Sequence, residues 1–252
     1  MVNTMSKYFL MLCGLFAIGI PVYGFQPDFP KNTFDITGSG KTRSLLITNK
    51  DPNILAVEIS IVPREIDSDG QEFLGDPSPD FDVYPPQVLI NPGEDAYVTL
   101  VWKGEKALSS EQAYRVVSNE VPFQDGSKFQ SGKIQLVIGR RFLHAAYVKP
   151  PKVKPDIRLS ALTVSANATT TNLVVTLENR GKAHQIVSDF GVSITNYVDD
   201  GRVIPLDKPV LLKDPAFRKR VNLLVGGRRE YVIPWPAGLP KKELRGVVTD
   251  VR

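Results

Sequence analysis

Cysteine is almost absent from this 252-residue chain, and the one present, Cys13, lies in an apolar opening segment. Met1 to Lys7 is a short start with one positive charge, Tyr8 to Ile20 runs almost wholly apolar, and small Gly24 follows Pro21-Val-Tyr. That layout is a secretory leader. The run falls short of the roughly 20 apolar residues that span a bilayer. A leader cleaved near Gly24 is therefore expected, with no stable membrane insertion afterwards. Leu12 is bulky where lipid attachment to Cys13 would want a small neighbour. Without the leader, 228 residues (252 minus 24) remain and contain no thiol. Disulfide staples, thiolate zinc sites and thiol catalysis drop out together. Stability must come from apolar cores, for which the length suffices.

Histidine is nearly as scarce. His144 and His184 are too few for a metal cluster, and no nucleophile motif accompanies His144, which reads as a packing residue on a strand. Asp67-Ser-Asp-Gly70 lacks the further oxygen ligands of a calcium loop and reads as a turn. No paired acids or Ser/His/Asp set stands out as catalytic. No enzyme activity, cofactor or metal is expected.

Charge of one sign is missing as a block. Residues 25–150 hold 13 Lys+Arg and 17 Asp+Glu, net −4, while 151–252 hold 17 and 10, net +7. The basic residues are scattered apart from Arg218-Lys-Arg220 and Arg228-Arg229, and no recognition motif accompanies them, so nucleic acid is not an expected partner.

Helical periodicity is scarce too; only Ala107 to Ala113 could make a helical turn. What is present instead is period-two alternation rich in β-branched residues. Thr42–Asn49, Ile54–Arg64, Phe81–Tyr84, Val88–Ile90, Ala96–Trp102, Tyr114–Val121 and Lys133–Val148 read as strands. Turn signals separate them at Asp67–Gly70, Pro92-Gly93, Lys103-Gly104 and Asp125-Gly126. Pro150-Pro-Lys-Val-Lys-Pro155 is a stiff connector. A second series follows: Ile157–Val164, Asn172–Asn179, Gly191–Tyr197, Arg202–Leu206, Val221–Val225, Glu230–Trp235 and Gly246–Val251. The expectation is an all-β protein with two immunoglobulin-like β-sandwich domains in tandem. Its divisions are a leader over 1–24, a first domain over 25–149, a Pro-rich linker over 150–156 and a second domain over 157–252.

The order of pieces in the first series resembles a known family. Thr33 to Ile36, Gly38, Leu45-Leu-Ile-Thr-Asn49, Val57 to Gly70 and above all Phe81-Asp-Val-Tyr-Pro-Pro-Gln-Val-Leu-Ile-Asn-Pro-Gly93 are similar to the N-terminal domain of PapD-like periplasmic pilus chaperones. Val98–Trp102, Tyr114-Arg-Val-Val, Glu120–Pro122 and a long strand ending at Pro150 follow in that family's order. The resemblance covers residues 33–150; the second domain matches only as a strand-rich unit of suitable size. It implies a periplasmic protein whose partners are pilus subunits and an outer-membrane usher. It also implies a donor strand at Ile134, Leu136 and Ile138, which subunits missing a final strand would take up. Alternation alone leaves open whether those three face the chain's own core.

The family's usual subunit-carboxylate anchors, an Arg on the first strand and a Lys on the last, correspond here to Thr33 and Ala145. The loop over Phe123 to Gly132 is short. A divergent, archaic or alternate-like branch is implied, with the anchor elsewhere. Arg140 and Arg141 point to opposite faces of a regular strand; Arg141 shares the Ala145 side and ranks first, ahead of Arg140, with Arg115 on the neighbouring strand. A competing reading is a pilus subunit or adhesin, which should show one incomplete sandwich and its own N-terminal donor segment. This chain shows two full strand sets and no long alternating segment between Gly24 and Asn32.

Overall fold

Alternating apolar residues need a second sheet to bury against, and the chain meets that need twice. The computed structural model describes residues 24–121, 139–166 and 169–251. The first unit uses β1 (Phe25–Asp28), β2 (Thr33–Asp35), β3 (Thr42–Asn49), β4 (Leu55–Ile66), β5 (Glu72–Leu74), β6 (Phe81–Tyr84), β7 (Gln87–Ile90), β8 (Asp95–Trp102), β9 (Gln112–Val121) and β10 (Arg141–Lys149). One sheet runs β1-β3-β8-β6; the other runs β2-β10-β9-β4-β5, with β7 also paired to β4. Between them lies a core that includes Phe34, Leu45, Ile47, Ile61, Leu100 and Trp102. The Pro85-Pro86 break has a topological job. It lets the chain leave β6, paired with β8, and enter β7, paired with β4 in the other sheet. Proline's missing N–H makes such a crossing compatible with the ladders.

The second unit uses β11 (Ile157–Ala166), β12 (Thr171–Asn179), β13 (Gln185–Val187), β14 (Gly191–Asp199), β15 (Arg202–Leu212), β16 (Val221–Leu223), β17 (Arg228–Pro234) and β18 (Glu243–Thr249). They form β11-β12-β17, β13-β16 and β15-β14-β18 around a separate core centred on Leu173, Leu177, Phe190, Ile194 and Phe217. β15 carries Pro205 and Pro209 and lies at a sheet edge, where a missing N–H costs nothing. Asp200 and Gly201 both have positive φ, 45° and 74°, the two-residue hairpin geometry that fits strand twist.

Two buried asparagines brace the two units. Asn49 ends β3; its Nδ2 donates to the carbonyls of Asn53 and Ile90, both at 2.9 Å, and its Oδ1 accepts from the Asp51 N–H. Asn179 ends β12; its Nδ2 donates to the carbonyls of Ala183 (2.8 Å) and Leu223 (3.1 Å), and its Oδ1 accepts from Asp156 and Gly181 N–H groups.

Several expectations change. Ala107 to Ala113 forms no helical turn: β9 begins at Gln112, and among the described residues the short 3-10 turns lie instead at Ser39–Lys41 and Pro215–Arg218. Short β1, β5 and β13, three or four residues each, escape a reading that needs longer alternation. β15 runs to Leu212, well past Leu206. The expected leader, except Gly24, lies outside the described residues, as does the 133–138 part of the expected last strand. Among the described residues no helix is long and apolar enough to cross a membrane.

Candidate functional site

Strand alternation sorts the β4-β9-β10 sheet into two faces. Leu55, Val57, Ile59 and Ile61 of β4, Tyr114 and Val116 of β9, and Ala146 and Val148 of β10 enter the core. The opposite face therefore carries Arg141, Leu143, Ala145 and Tyr147 from β10, with Arg115, Val117 and Asn119 from β9. Cross-strand register places Arg141 opposite Asn119, Leu143 opposite Val117 and Ala145 opposite Arg115. Val62 of β4 lies across from Arg115 on its other side. Val62, Val117 and Tyr147 are buried although they stand outside the core cluster.

β10 is paired unevenly. β9 accompanies it from Arg141 to Val148, but β2 joins its other edge only at Tyr147, Val148 and Lys149. From Arg141 to Ala146 that second edge has no strand partner among the described residues. Unpaired ladder groups of this kind are a template for another strand. Leu143, 41% exposed, stands on the same stretch.

The charged groups near this face differ in what they already hold. Arg115 grips Glu72 as a fork, Nε to Oε1 at 2.7 Å and Nη2 to Oε2 at 2.9 Å. Arg64 Nε lies 2.8 Å from the same Oε1. The hydrogen bonds from Arg115, then the nearby positive charges, hold the Glu72 carboxyl below the usual carboxylate range despite partial burial. Arg140 instead turns toward β1 and β9. It donates to both oxygens of Glu120, pairs with Asp51 and lies over the Phe25 ring. Its acid form is stabilised, first by the Glu120 hydrogen bonds, and Glu120 is lowered in turn by Arg140. Arg141 is exposed and makes no ion pair or hydrogen bond with the described residues.

Of the expected site residues, Ile134, Leu136 and Ile138 lie outside the described residues. Arg141 does share the Ala145 face, since the β9–β10 register has no bulge. Arg115 is the direct neighbour of Ala145, and Thr33 pairs with Tyr147 two positions further on. Arg64 and Glu72 were not singled out in the sequence. Their signal is tertiary: the β4–β5 hairpin pairs Arg64 with Leu74 and brings Glu72, 43 positions from Arg115, to its guanidinium. His144 points to the core side near the Phe29 ring, and burial, then the charge of Arg115, keeps its imidazole pKa down. A neutral packing role results. No group of three or more metal-binding side chains occurs among the described residues.

Residues 31–143 match the model for the pili and flagellar-assembly chaperone PapD N-terminal domain. The first domain is a PapD-type chaperone domain. A chain from the chaperone–tip adhesin complex of CFA/I fimbriae biogenesis aligns at TM-score 0.53 and 13% identity, over 91% of this chain and 100% of that one. The CsuC–CsuE chaperone–tip adhesion subunit complex of Acinetobacter baumannii aligns at 0.49 and 14%, over 83% and 90%. The E. coli chaperone DraB aligns at 0.47 and 13%, over 86% of each. Identities this low speak for fold. No curated protein sequence matches the chain.

The PapD-type domain is tied to the second domain at two places. Tyr147 stacks on His184, ring centroids 3.7 Å apart, and its hydroxyl accepts from Asn222 Nδ2 at 2.6 Å and from Arg64 Nη1 at 3.4 Å. Buried Glu111 accepts from the His184 backbone N–H at 3.0 Å and contacts its ring Nδ1. The second tie is the β4–β5 turn, where Ser68 O accepts from Glu230 N–H of β17 at 3.0 Å. The Arg229 guanidinium lies so close to Gly70 (φ 88°) that a Cβ there would fall 1.6 Å from it. The charged cluster of Arg64, Glu72 and Arg115 thus sits beside both ties.

Proposed function

We propose that this chain is a periplasmic chaperone that holds pilus subunits by lending them an edge strand and delivers them to an outer-membrane usher. The observation that carries the reading is the one-sided pairing of β10 over Arg141 to Ala146, in a PapD-type domain. A subunit lacking a strand needs two things: backbone partners along an edge and apolar side chains for its groove. The open edge offers the first. Ile134, Leu136 and Ile138, immediately before it in sequence, offer the second. The chaperone–tip adhesin complex that shares the fold names the same kind of client. Two separate apolar cores also suit a chaperone better than a subunit with one incomplete sandwich.

An arginine then takes the client's terminal carboxylate, because a planar fork binds both its oxygens. Arg141 is the first candidate by face and freedom, Arg115 the second by its place beside Ala145; Arg140 is committed to Glu120 and Asp51. Leader removal near Gly24 delivers the chain to the periplasm. No catalysis is invoked.

The deciding experiment replaces Leu136 and Ile138 together with Asp. The variant is expected to fold with an unchanged melting temperature and to lose protection of its subunit from degradation. Unfolding of the variant would assign the two side chains to the chain's own core and overturn strand lending by this segment.

A further inference from the structure

The Arg64–Glu72–Arg115 cluster has the composition of an occupied carboxylate site. Two guanidinium groups from neighbouring strands converge on one carboxylate, and one of them holds it through the two-point fork that a free carboxylate would use. The carboxylate shares the outer face with Arg64, since Glu72 stands opposite Ile66, two positions further along β4. It is brought there by β5, a three-residue strand at the end of a hairpin whose turn rests on the second domain. Side-chain exposures are 6% for Arg64, 18% for Arg115 and 26% for Glu72, so the pair is shielded yet its acid reaches solvent. The cluster lies beside Ala145 and two positions along from the open-edge residue Leu143.

Resting on the strand-lending reading above, we infer that Glu72 is a resident stand-in for the client's terminal carboxylate. It keeps Arg64 and Arg115 neutralised and ordered until a client chain end displaces it. Two buried like charges without a counter-ion would repel and carry a desolvation cost; Glu72 removes that cost in the empty chaperone. A client docking along β10 would trade one carboxylate for another, so its chain end would add specificity while contributing little net affinity. The swap also returns Glu72 to water, from which it is separated by only partial burial. Arg115, the second candidate above, is then the binding group in place of Arg141, with Arg64 beside it, and Glu72 is a positioning residue that sets how strongly a chain end is felt.

The test uses the mature chain and its Glu72→Gln variant, with a short alternating Val/Thr peptide bearing either a free carboxylate or a C-terminal amide. The variant is expected to prefer the free carboxylate by about tenfold or more, the parent by much less, and adding Arg115→Ala to the variant should abolish the preference. A variant that discriminates no better than the parent overturns the inference and leaves Glu72 a structural brace. N-acetylglycine gives a readout independent of strand pairing, through the arginine Nε–H resonances. It should shift Arg115 and Arg64 in Glu72→Gln and leave the parent nearly unmoved. If it does so while neither peptide binds, strand lending fails and the carboxylate site stands. If it moves neither resonance in the variant, the site fails whatever the peptides do.

Discussion

The two domains share one brace and differ in what they leave open. In each, a strand-ending asparagine donates to the carbonyl four residues on and to a second carbonyl 41 or 44 residues away. In each, that asparagine's backbone also closes on a glycine turn with positive φ, Gly93 (77°) or Gly226 (70°). A tryptophan at or just past the end of the partner strand donates its indole N–H to a nearby carbonyl, Trp102 to Glu105 and Trp235 to Leu239. A shared frame with so little else in common says the frame serves folding. The first domain departs from it with a long sheet, an edge left without a strand partner among the described residues over Arg141 to Ala146, and a cationic pair beside that edge. The second domain divides its strands among sheets of three, two and three. The function is to be sought where the two differ.

The largest expected effect comes from breaking the frame itself. Asn49→Ala and Asn179→Ala each strand two buried carbonyls and remove an acceptor, so each should cost about 2 to 4 kcal/mol. Denaturant unfolding checks this. A loss in only one of them would show that the likeness is geometric and not energetic.

Next in size is the seam between domains. Tyr147→Phe removes the acceptor for Asn222 and Arg64 while keeping the ring on His184, and is expected to cost about 1 to 2 kcal/mol. Calorimetry should show the melting of the two domains separating. An unchanged single transition would mean that the stack, not the hydroxyl, couples them.

The arginines allow a finer contrast. Arg141→Ala should leave the melting temperature alone, because Arg141 holds nothing in the described structure. Arg115→Ala should cost about 1 kcal/mol through the loss of its partly buried fork with Glu72. Arg141→Ala should weaken subunit capture, and Arg115→Ala should weaken it less, because Glu72 already holds that guanidinium in the parent. If neither does, the client's carboxylate is bound elsewhere or not at all.

Acid gives the smallest effect and again separates the domains. Glu72 and Glu120 of the first domain have folded pKa values depressed by Arg115 and Arg140 respectively. Their contribution is present above the unfolded carboxylate value, near 4.3, and is lost as pH falls through the lower folded values. Glu178 of the second domain is depressed by Arg180 and Arg228, whose side chains are about three-fifths exposed, 62% and 59%. Added salt should therefore flatten the acid response of the second domain more than that of the first. Chemical denaturation below pH 4.5 at two salt concentrations reads both slopes.

Much of this organisation was legible in the residues. Phe81–Tyr84 and Thr42–Asn49 match β6 and β3 at both ends, because sharp turn signals flank clear alternation. Period two puts Arg141 and Ala145 on one face of a strand that has no bulge, and the β9–β10 register has none. The brace was not legible, since Asn49 and Asn179 look like ordinary turn residues until carbonyls some forty positions away arrive. Nor was Glu72, one of many acids, brought to Arg115 by a hairpin too short to register as a strand pair. The Ala107 to Ala113 turn failed because helical spacing over so few residues yields to the pull of β9, already laddered at Gln112.

Phe25 has a consequence for the proposed removal of a leader. It lies 3% exposed in the core, its strand is laddered to β3, and Gly24 O accepts from Lys50 N–H at 2.9 Å. The Arg140 guanidinium closes over the same corner, 2.8 Å from where a Cβ on Gly24 would stand. A peptidase that cuts between Gly24 and Phe25 needs that segment extended and accessible, which the finished sandwich does not allow. Under the proposed cleavage at this bond, processing and folding would compete, and processing would have to come first. Precursor folded before exposure to signal peptidase should resist cleavage, whereas precursor held unfolded should be cut; equal cleavage of both would place the scissile bond upstream of the buried corner.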